Sequence, residues 1–255
     1  MTQPHDEKRD MQRFARLTFE DFRTLATDES LSPVQKIGFP ESYRAGAEEA
    51  IVADIVLKLP ALADSGKRIL DIGPGCSPLA EMLLDRCAER GHELVLVDSP
   101  EMLAQLPDRP GVTKVPGAFP APAALPGREG QFDAILAYSV LHYVFVDANP
   151  FAFLDRALEL LAHGGALLLG DVPNGSKRKR FLLSPAGVAF HKRFMQTDEP
   201  PLVEFNQVEP GTLDDAAVLG LLARARAAGC DAYVLPLAAG LPLANRREDI
   251  LVVKP

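Results

Sequence analysis

From Lys67 to Ser99 the chain reads KRILDIGPGCSPLAEMLLDRCAERGHELVLVDS, and this stretch constrains the fold more than any other. Arg68 to Ile72 is a short apolar strand, and Gly73-Pro74-Gly75-Cys76-Ser77 is a glycine-containing turn. A helix follows from about Pro78 to Arg90, with Leu79, Met82, Leu83 and Cys87 on one face, and the strand Leu94 to Val97 ends on Asp98. The order is β-α-β, with glycines where strand becomes helix and a carboxylate at the tip of the next strand. Gly73 and Gly75 have no Cβ, so a ligand can lie against their backbone. Pro78 suits the first helical position, where its missing N–H costs nothing. Asp98 projects beside the same opening and can accept both hydroxyls of a ribose.

Two ligand classes use such a unit. A dinucleotide site wants G-x-G-x-x-G or A, the last small residue allowing helix and strand to pack closely. Here that position is Pro78, which argues against a pyrophosphate resting on the helix end. Asp71 argues the same way, because a carboxylate repels a diphosphate and attracts a cationic ligand. The stretch resembles motif I of the class I S-adenosylmethionine-dependent methyltransferases, D/E-x-G-x-G-x-G, as Asp71-x-Gly73-x-Gly75-x-Ser77, with Ser77 replacing the third glycine. The resemblance implies a Rossmann-like α/β fold: a seven-stranded, mostly parallel sheet with an antiparallel last strand and helices on both faces. It also implies S-adenosylmethionine as cofactor and S-adenosylhomocysteine as product.

No apolar run approaches the roughly 20 residues that span a bilayer, and the polar start MTQPHDEKRDMQR has no apolar signal core, so the expectation is a cytoplasmic protein. Cys76, Cys87 and Cys230 lack metal-like spacing and read as reduced thiols, with no metal expected. A net charge of −8 argues against broad nucleic-acid binding.

Phe14, Leu17, Phe22 and Leu25 recur at roughly helical spacing, which reads as an amphipathic helix packed on the body or as a lid over the cofactor. The domain reading is a helical cap or lid over residues 1–60 and a methyltransferase domain over 61–255, with a substrate-side insertion at about 172–211. Lys36 to Arg44 is a loop, and a helix from about Ala45 to Leu59 leads into the first strand. The resemblance sets Phe39, Tyr43 and Arg44 at the methionine end of the cofactor, with Arg44 pairing with its carboxylate or making a plain surface salt bridge. After Asp98, a helix starts at Ser99, and Met102 falls where relatives place an apolar residue against the adenine. Val112 to Val115 is a third strand, leading to Gly117-Ala118-Phe119 and then a Pro/Ala/Gly loop from Pro120 to Gly130. Many relatives carry Asp at the Ala118 position to read the adenine amino group; here that contact falls to a backbone carbonyl or another residue, and Phe119 covers the ring.

Phe132 to Tyr138 is the fourth strand, followed by Ser139-Val140-Leu141-His142-Tyr143-Val144, which resembles the family's motif IV facing the transferring methyl. On that resemblance Tyr138 and Ser139 line the cofactor. A helix is expected from Pro150 to Ala162, ended by Gly164-Gly165, then a fifth strand from Ala166 to Gly170. Thr212 reads as the cap of a helix running to Ala228, with Asp214 and Asp215 in its first turn and Gly229 after its end. Ala232 to Pro236 and Asp249 to Lys254 form the final strand pair, with Arg246, Arg247 and Asp249 before the last strand as a structural ion-pair cluster or as the rim of the site.

From Val172 through Thr197 there is no acidic residue, while Lys177, Arg178, Lys179, Arg180, Lys192 and Arg193 are basic. In open α/β sheets ligands bind outside the carboxyl ends of strands, where this insertion starts. One reading is a small acceptor bearing phosphate or carboxylate, such as a nucleotide-linked or phosphorylated sugar, held by Asn174, Arg178 and Arg180. The other is a solvated basic face, or a surface pairing with the acidic body in a homodimer. The combination DIGPGCS, GDVPNGSKRKRF and LANRREDILVV resembles a bacterial methyltransferase group associated with surface-glycan biosynthesis.

Methyl transfer is an in-line displacement, so the protein mainly supplies proximity and orientation. A hydroxyl acceptor also needs a base, for which His142 comes first and Asp171 second. A histidine just past the fourth strand is equally at home as a helix-start residue bonded to backbone. Two rivals stay open: a cofactor-binding partner protein without catalysis, which the Ala118 departure favours, and a nucleotide-dependent oxidoreductase, which Pro78 and Asp71 disfavour.

Overall fold

The structure is a computed structural model and describes residues 17–40, 43–44, 46–120, 125–207 and 209–255. Phe14, Ser42, Ala45 and part of the Pro120–Gly130 loop lie outside the described residues. Among the described residues, no helix is long and apolar enough to cross a membrane.

Seven strands form one sheet: β1 (Arg68–Ile72), β2 (Glu93–Asp98), β3 (Val112–Pro116), β4 (Phe132–Tyr138), β5 (Leu161–Pro173), β6 (Asp231–Pro236) and β7 (Arg247–Val253). Their spatial order is β3-β2-β1-β4-β5-β7-β6. The first five run parallel, and β7 lies antiparallel between β5 and β6. The helices are α1 (Phe19–Thr27), α2 (Pro33–Lys36), α3 (Glu48–Lys58), α4 (Pro78–Glu89), α5 (Pro100–Leu103), α6 (Leu141–Asp147), α7 (Pro150–Leu160), α8 (Gly175–Leu183), α9 (Pro185–Met195) and α10 (Asp215–Ala227).

The alternation of side chains along a strand explains the continuous apolar runs. Leu70, Ile72, Val95, Val97, Ile135 and Ala137 point into one core, with Phe153 and Leu154 of α7 and Val218 and Leu221 of α10. Ile69, Leu94, Leu96, Ala134 and Leu136 point into the other, with Ile51 and Ile55 of α3 and Leu79, Leu83 and Leu84 of α4. Each fully buried aliphatic side chain of this kind contributes roughly 1.5–3 kcal/mol. A sheet covered on both faces leaves its strand ends as the place for a site.

Several element ends differ from the sequence expectation, each for a local reason. α7 stops at Leu160 rather than Ala162, because Leu161 is already extended and pairs with Phe132 in the sheet. β5 therefore starts before Gly164-Gly165 and runs on to Pro173. α10 is capped by Asp214, whose side chain accepts from the Ala217 N–H at 3.0 Å, whereas the Thr212 N–H bonds back to the Glu209 carbonyl. α3 begins at Glu48, with Ala47 at its cap position. Arg247 and Asp249 lie within β7 rather than before it, because Glu248 and Arg247 pair with Val172 and Pro173. The insertion after β5 is a helical hairpin, α8 and α9, whose shared residue Ser184 caps α9 through the Gly187 N–H at 3.1 Å.

Candidate active site

The carboxyl ends of β1, β2 and β4 open into a cavity of about 250 Å³. Gly73 and Gly75 line it with φ of 69° and 67°, in the left-handed region that favours glycine. Ser77 sits at the cap position of α4 but makes no side-chain cap bond, so its hydroxyl stays available in the cavity wall. Arg44, Asp71, Asp98, Met102, Ala118, Phe119, Tyr138 and Ser139 line the same space. Of the residues expected at the cofactor, Tyr43 and Ser99 are off the wall; Ser99 is fully buried, and its hydroxyl accepts from the Met102 N–H at 3.1 Å to cap α5.

Two carboxylates that have no cationic partner among the described residues set the electrostatics. Asp98 accepts from the Gly75 N–H at 3.1 Å through one oxygen and from the Ser99 N–H at 2.7 Å through the other. Each oxygen keeps a lone pair, so the group can still receive a vicinal diol. Burial pushes the Asp98 carboxyl up to about 6 despite those two donors. Burial, and then the charge of Asp98, pushes Asp71 up to about 7. A ligand carrying positive charge relieves this repulsion, whereas a diphosphate worsens it. The glycine backbone, the diol acceptor and the acidic floor therefore fit a nucleoside with a cationic appendage.

The N-terminal helices roof the cavity. Phe19 and Phe22 of α1 and Ile37 and Phe39 after α2 all line it. Phe22 meets Tyr143 of α6 edge to face, with ring centroids 4.6 Å apart. The Phe19 N–H donates to Asp147 at 3.0 Å, at the end of α6. Arg23 grips Glu101 of α5 with a fork, Nε at 3.0 Å and Nη2 at 2.7 Å. The roof is thus tied to both sides of the opening.

Beyond the cavity stands an ionic lattice that sequence patterning did not assemble. Arg44 donates to Asp171 at 2.7 Å and also to the Ser139 hydroxyl, which in turn donates to Asp171. Arg247 donates to the same carboxylate at 2.6 Å. Behind them, Asp249 accepts from the Asp171 N–H at 2.7 Å and pairs with Lys58 at 2.6 Å, and Lys58 reaches Asp54 at 2.5 Å. Ser139 and Asp171 hold φ of 61° and 55°. Such non-glycine strain, of order 1–3 kcal/mol per residue, persists where surroundings over-determine it and gathers at functional sites. The residues converge from the loop at Arg44, from α3, from just past β4, and from β5 and β7, and that distance in sequence hides the lattice from any local pattern.

His142 lies in α6 with its ring 3.9 Å from that of Tyr143. Its Nδ1 is buried with no hydrogen-bond partner among the described residues, and burial, followed by the charges of Arg247 and Arg44, pushes its pKa well below the ordinary value. The imidazole is therefore neutral at physiological pH. Neither His142 nor Asp171 is in the cavity wall. Asn174 is buried as the cap of α8, donating to Glu248 at 2.6 Å and Asp215 at 2.8 Å. Arg180 is exposed and pairs with Asp215 at 2.5 Å, and Lys179 pairs with Glu209 at 2.7 Å. Arg178 is exposed and makes no ion pair among the described residues. Among the same residues no group of three His, Cys, Asp or Glu side chains could hold a metal.

Residues 70–167 match the family model described as a methyltransferase domain. A search of curated proteins by sequence found no match. Among solved structures, the chain resembles an Aquifex aeolicus SAM-dependent methyltransferase, with TM-score 0.51 and 14% identity over 87% of this chain and 98% of that one. It also resembles the plantazolicin methyltransferase BpumL, solved with a desmethyl-plantazolicin analogue and SAH, with TM-score 0.56 and 12% identity over 96% and 99%. A third is a Haemonchus contortus phosphoethanolamine N-methyltransferase, solved with phosphoethanolamine and S-adenosylhomocysteine, with TM-score 0.55 and 15% identity over 94% and 50%. The matched segment runs from β1 into β5 and holds both glycines of the turn, Asp71 and Asp98, and the chain as a whole has the Rossmann-like methyltransferase fold.

Proposed function

We propose that the protein is an S-adenosylmethionine-dependent methyltransferase acting on an oxygen or nitrogen of a small anionic acceptor. The carrying observation is the cavity itself: glycine backbone at the end of β1, Asp98 at the end of β2 and the buried Asp71 between them. The cofactor is S-adenosylmethionine and the product S-adenosylhomocysteine; its sulfonium supplies an electrophilic methyl group. Asp98 takes the ribose hydroxyls and Asp71 the positive charge at the methionine end. Met102 and Phe119 flank the adenine, and Arg44, already anchored by Asp171 and Ser139, faces the carboxylate.

In this reading Asp171 serves chiefly to orient Arg44, since two guanidinium groups share its carboxylate. His142 is first in line as a base, but it stands outside the cavity wall and its lowered pKa makes the ring a weak proton acceptor, so proximity and orientation carry the transfer in this arrangement. An anionic acceptor accords with the basic hairpin α8–α9 at the end of β5, and among the structural relatives one was solved with the phosphate-bearing phosphoethanolamine.

Calorimetry tests the cofactor assignment. S-adenosylhomocysteine should bind with a Kd on the order of 1 µM or below, and NAD should not bind. Binding of NAD without S-adenosylhomocysteine would overturn the assignment. Methyl transfer from the labelled cofactor to any acceptor separates an enzyme from a non-catalytic binding protein.

A further inference from the structure

Four arginines, Arg44, Arg247, Arg246 and Arg178, differ in how their charge is met. Arg44 and Arg247 share Asp171, and both guanidinium groups lie against the Phe39 ring, at 4.1 Å and 5.4 Å. Arg246 comes next, and its backbone carbonyl accepts from the Asn174 N–H at 3.0 Å, where α8 begins. Arg178 stands one turn further along α8, its own N–H donating to the Asn174 carbonyl at 2.9 Å. Among the described residues, neither Arg246 nor Arg178 forms an ion pair.

The state of Arg246 is costly as it stands. Its Nε is buried without a hydrogen-bond partner, and its guanidinium lies over Phe190 of α9 at 5.5 Å. Burial first lowers its pKa; Tyr43 acts in the opposite sense, and the like charges of Arg178 and Arg247 lower it further. A half-buried guanidinium with an idle donor beside a second uncompensated one needs an explanation. The neighbouring Arg180 lacks this character, because Asp215 already neutralises it.

We propose that Arg246 and Arg178 form an anion subsite for a phosphate group of the acceptor, with Phe190 as its wall. Two unmatched positive charges suit a phosphate ester, which carries about −1.5 to −2 near neutral pH, better than a single carboxylate. Guanidinium forks supply the parallel donors that such a group accepts. Phe39 lines the cavity and lies against Arg247, the residue next to Arg246 in sequence. This refines the methyltransferase reading, on which its role as an acceptor site rests.

The test uses inorganic pyrophosphate, phosphate and succinate as probes on the full chain, with S-adenosylhomocysteine titrated alongside. Pyrophosphate should bind the wild type more tightly than succinate does. Arg246→Gln and Arg178→Gln should each weaken it at least about tenfold, the loss expected for a charge-assisted bond. Arg180→Gln should leave it unchanged. The exposed Arg178 site guards against misfolding as the cause of a loss. Absence of pyrophosphate binding, equal binding in Arg246→Gln and Arg178→Gln, or a preference for succinate would each overturn the subsite. Failure of S-adenosylhomocysteine to bind the wild type would instead sink the cofactor reading, so the two failures are distinct.

Discussion

Ile37 stands directly over Gly75: a Cβ built on that glycine would come within 2.5 Å of the Ile37 Cγ2. The roof therefore rests on bare backbone. Gly75→Val adds a branched side chain at φ 67° and pushes the Ile37 loop away. Strain of about 1–3 kcal/mol should appear as a lower melting temperature, and titration of the variant with S-adenosylhomocysteine should show no binding.

Asp98→Ala should lose about 1.5–3 kcal/mol of S-adenosylhomocysteine affinity, the range for hydrogen bonds to a charged group. It also leaves the Gly75 and Ser99 N–H groups without their acceptor. Calorimetry reads the affinity; an unchanged Kd would remove Asp98 from the ribose site.

Affinity for S-adenosylmethionine should rise as pH climbs from about 5 to 8. Asp98 near 6 and Asp71 near 7 ionise across that window, and their charged forms favour a cation. The sign for the free protein is opposite. Both carboxyls hold their protons more tightly folded than unfolded, so their ionisation weakens folding as pH rises from about 4 to 7. The ligand-induced rise in melting temperature should thus grow with pH, and Asp71→Asn should flatten that growth above pH 6. A flat profile in the wild type would show that neither group senses the ligand's charge.

Arg247→Met should destabilise the fold by roughly 3–5 kcal/mol, the cost of breaking a buried pair from one side. Arg247 and Asp171 side chains are 12% and 5% exposed. Arg180→Ala, at a side chain 53% exposed, should cost no more than about 1 kcal/mol. Urea denaturation of both variants gives the comparison.

The stretch 67–99 was readable because each of its signals is local: two glycines, a proline at the helix start and a carboxylate at a strand end. The mostly parallel sheet with an antiparallel last strand was what the family resemblance implied, and the structure has it. Element ends were less legible where pairing overrode propensity, as at Leu161, which joins Phe132 in the sheet instead of continuing a helix. The lattice of Lys58, Asp171, Arg247 and Asp249 was not legible at all as a unit, since its members meet only through the sheet. Charge density alone marked Arg178 and Arg180 as equals; Asp215, 35 positions beyond Arg180, separates them. Sequence position groups Arg246 with Arg247 and Asp249 as an ion-pair cluster or the rim of the site; Arg247 and Asp249 make ion pairs, and Arg246 makes none among the described residues.

β7 follows the other six described strands in sequence yet lies between two of them, β5 and β6. Until residues 247–253 leave the ribosome, β5 and β6 have no common neighbour, and both expose unpaired edges. Arg247 and Asp249 arrive with that strand, so Asp171 gains its second arginine and the acceptor of its N–H in the same event. A chain cut short by even these few residues would hold every glycine and acid of the cofactor turn, yet would lack the means to hold Arg44's anchor in place.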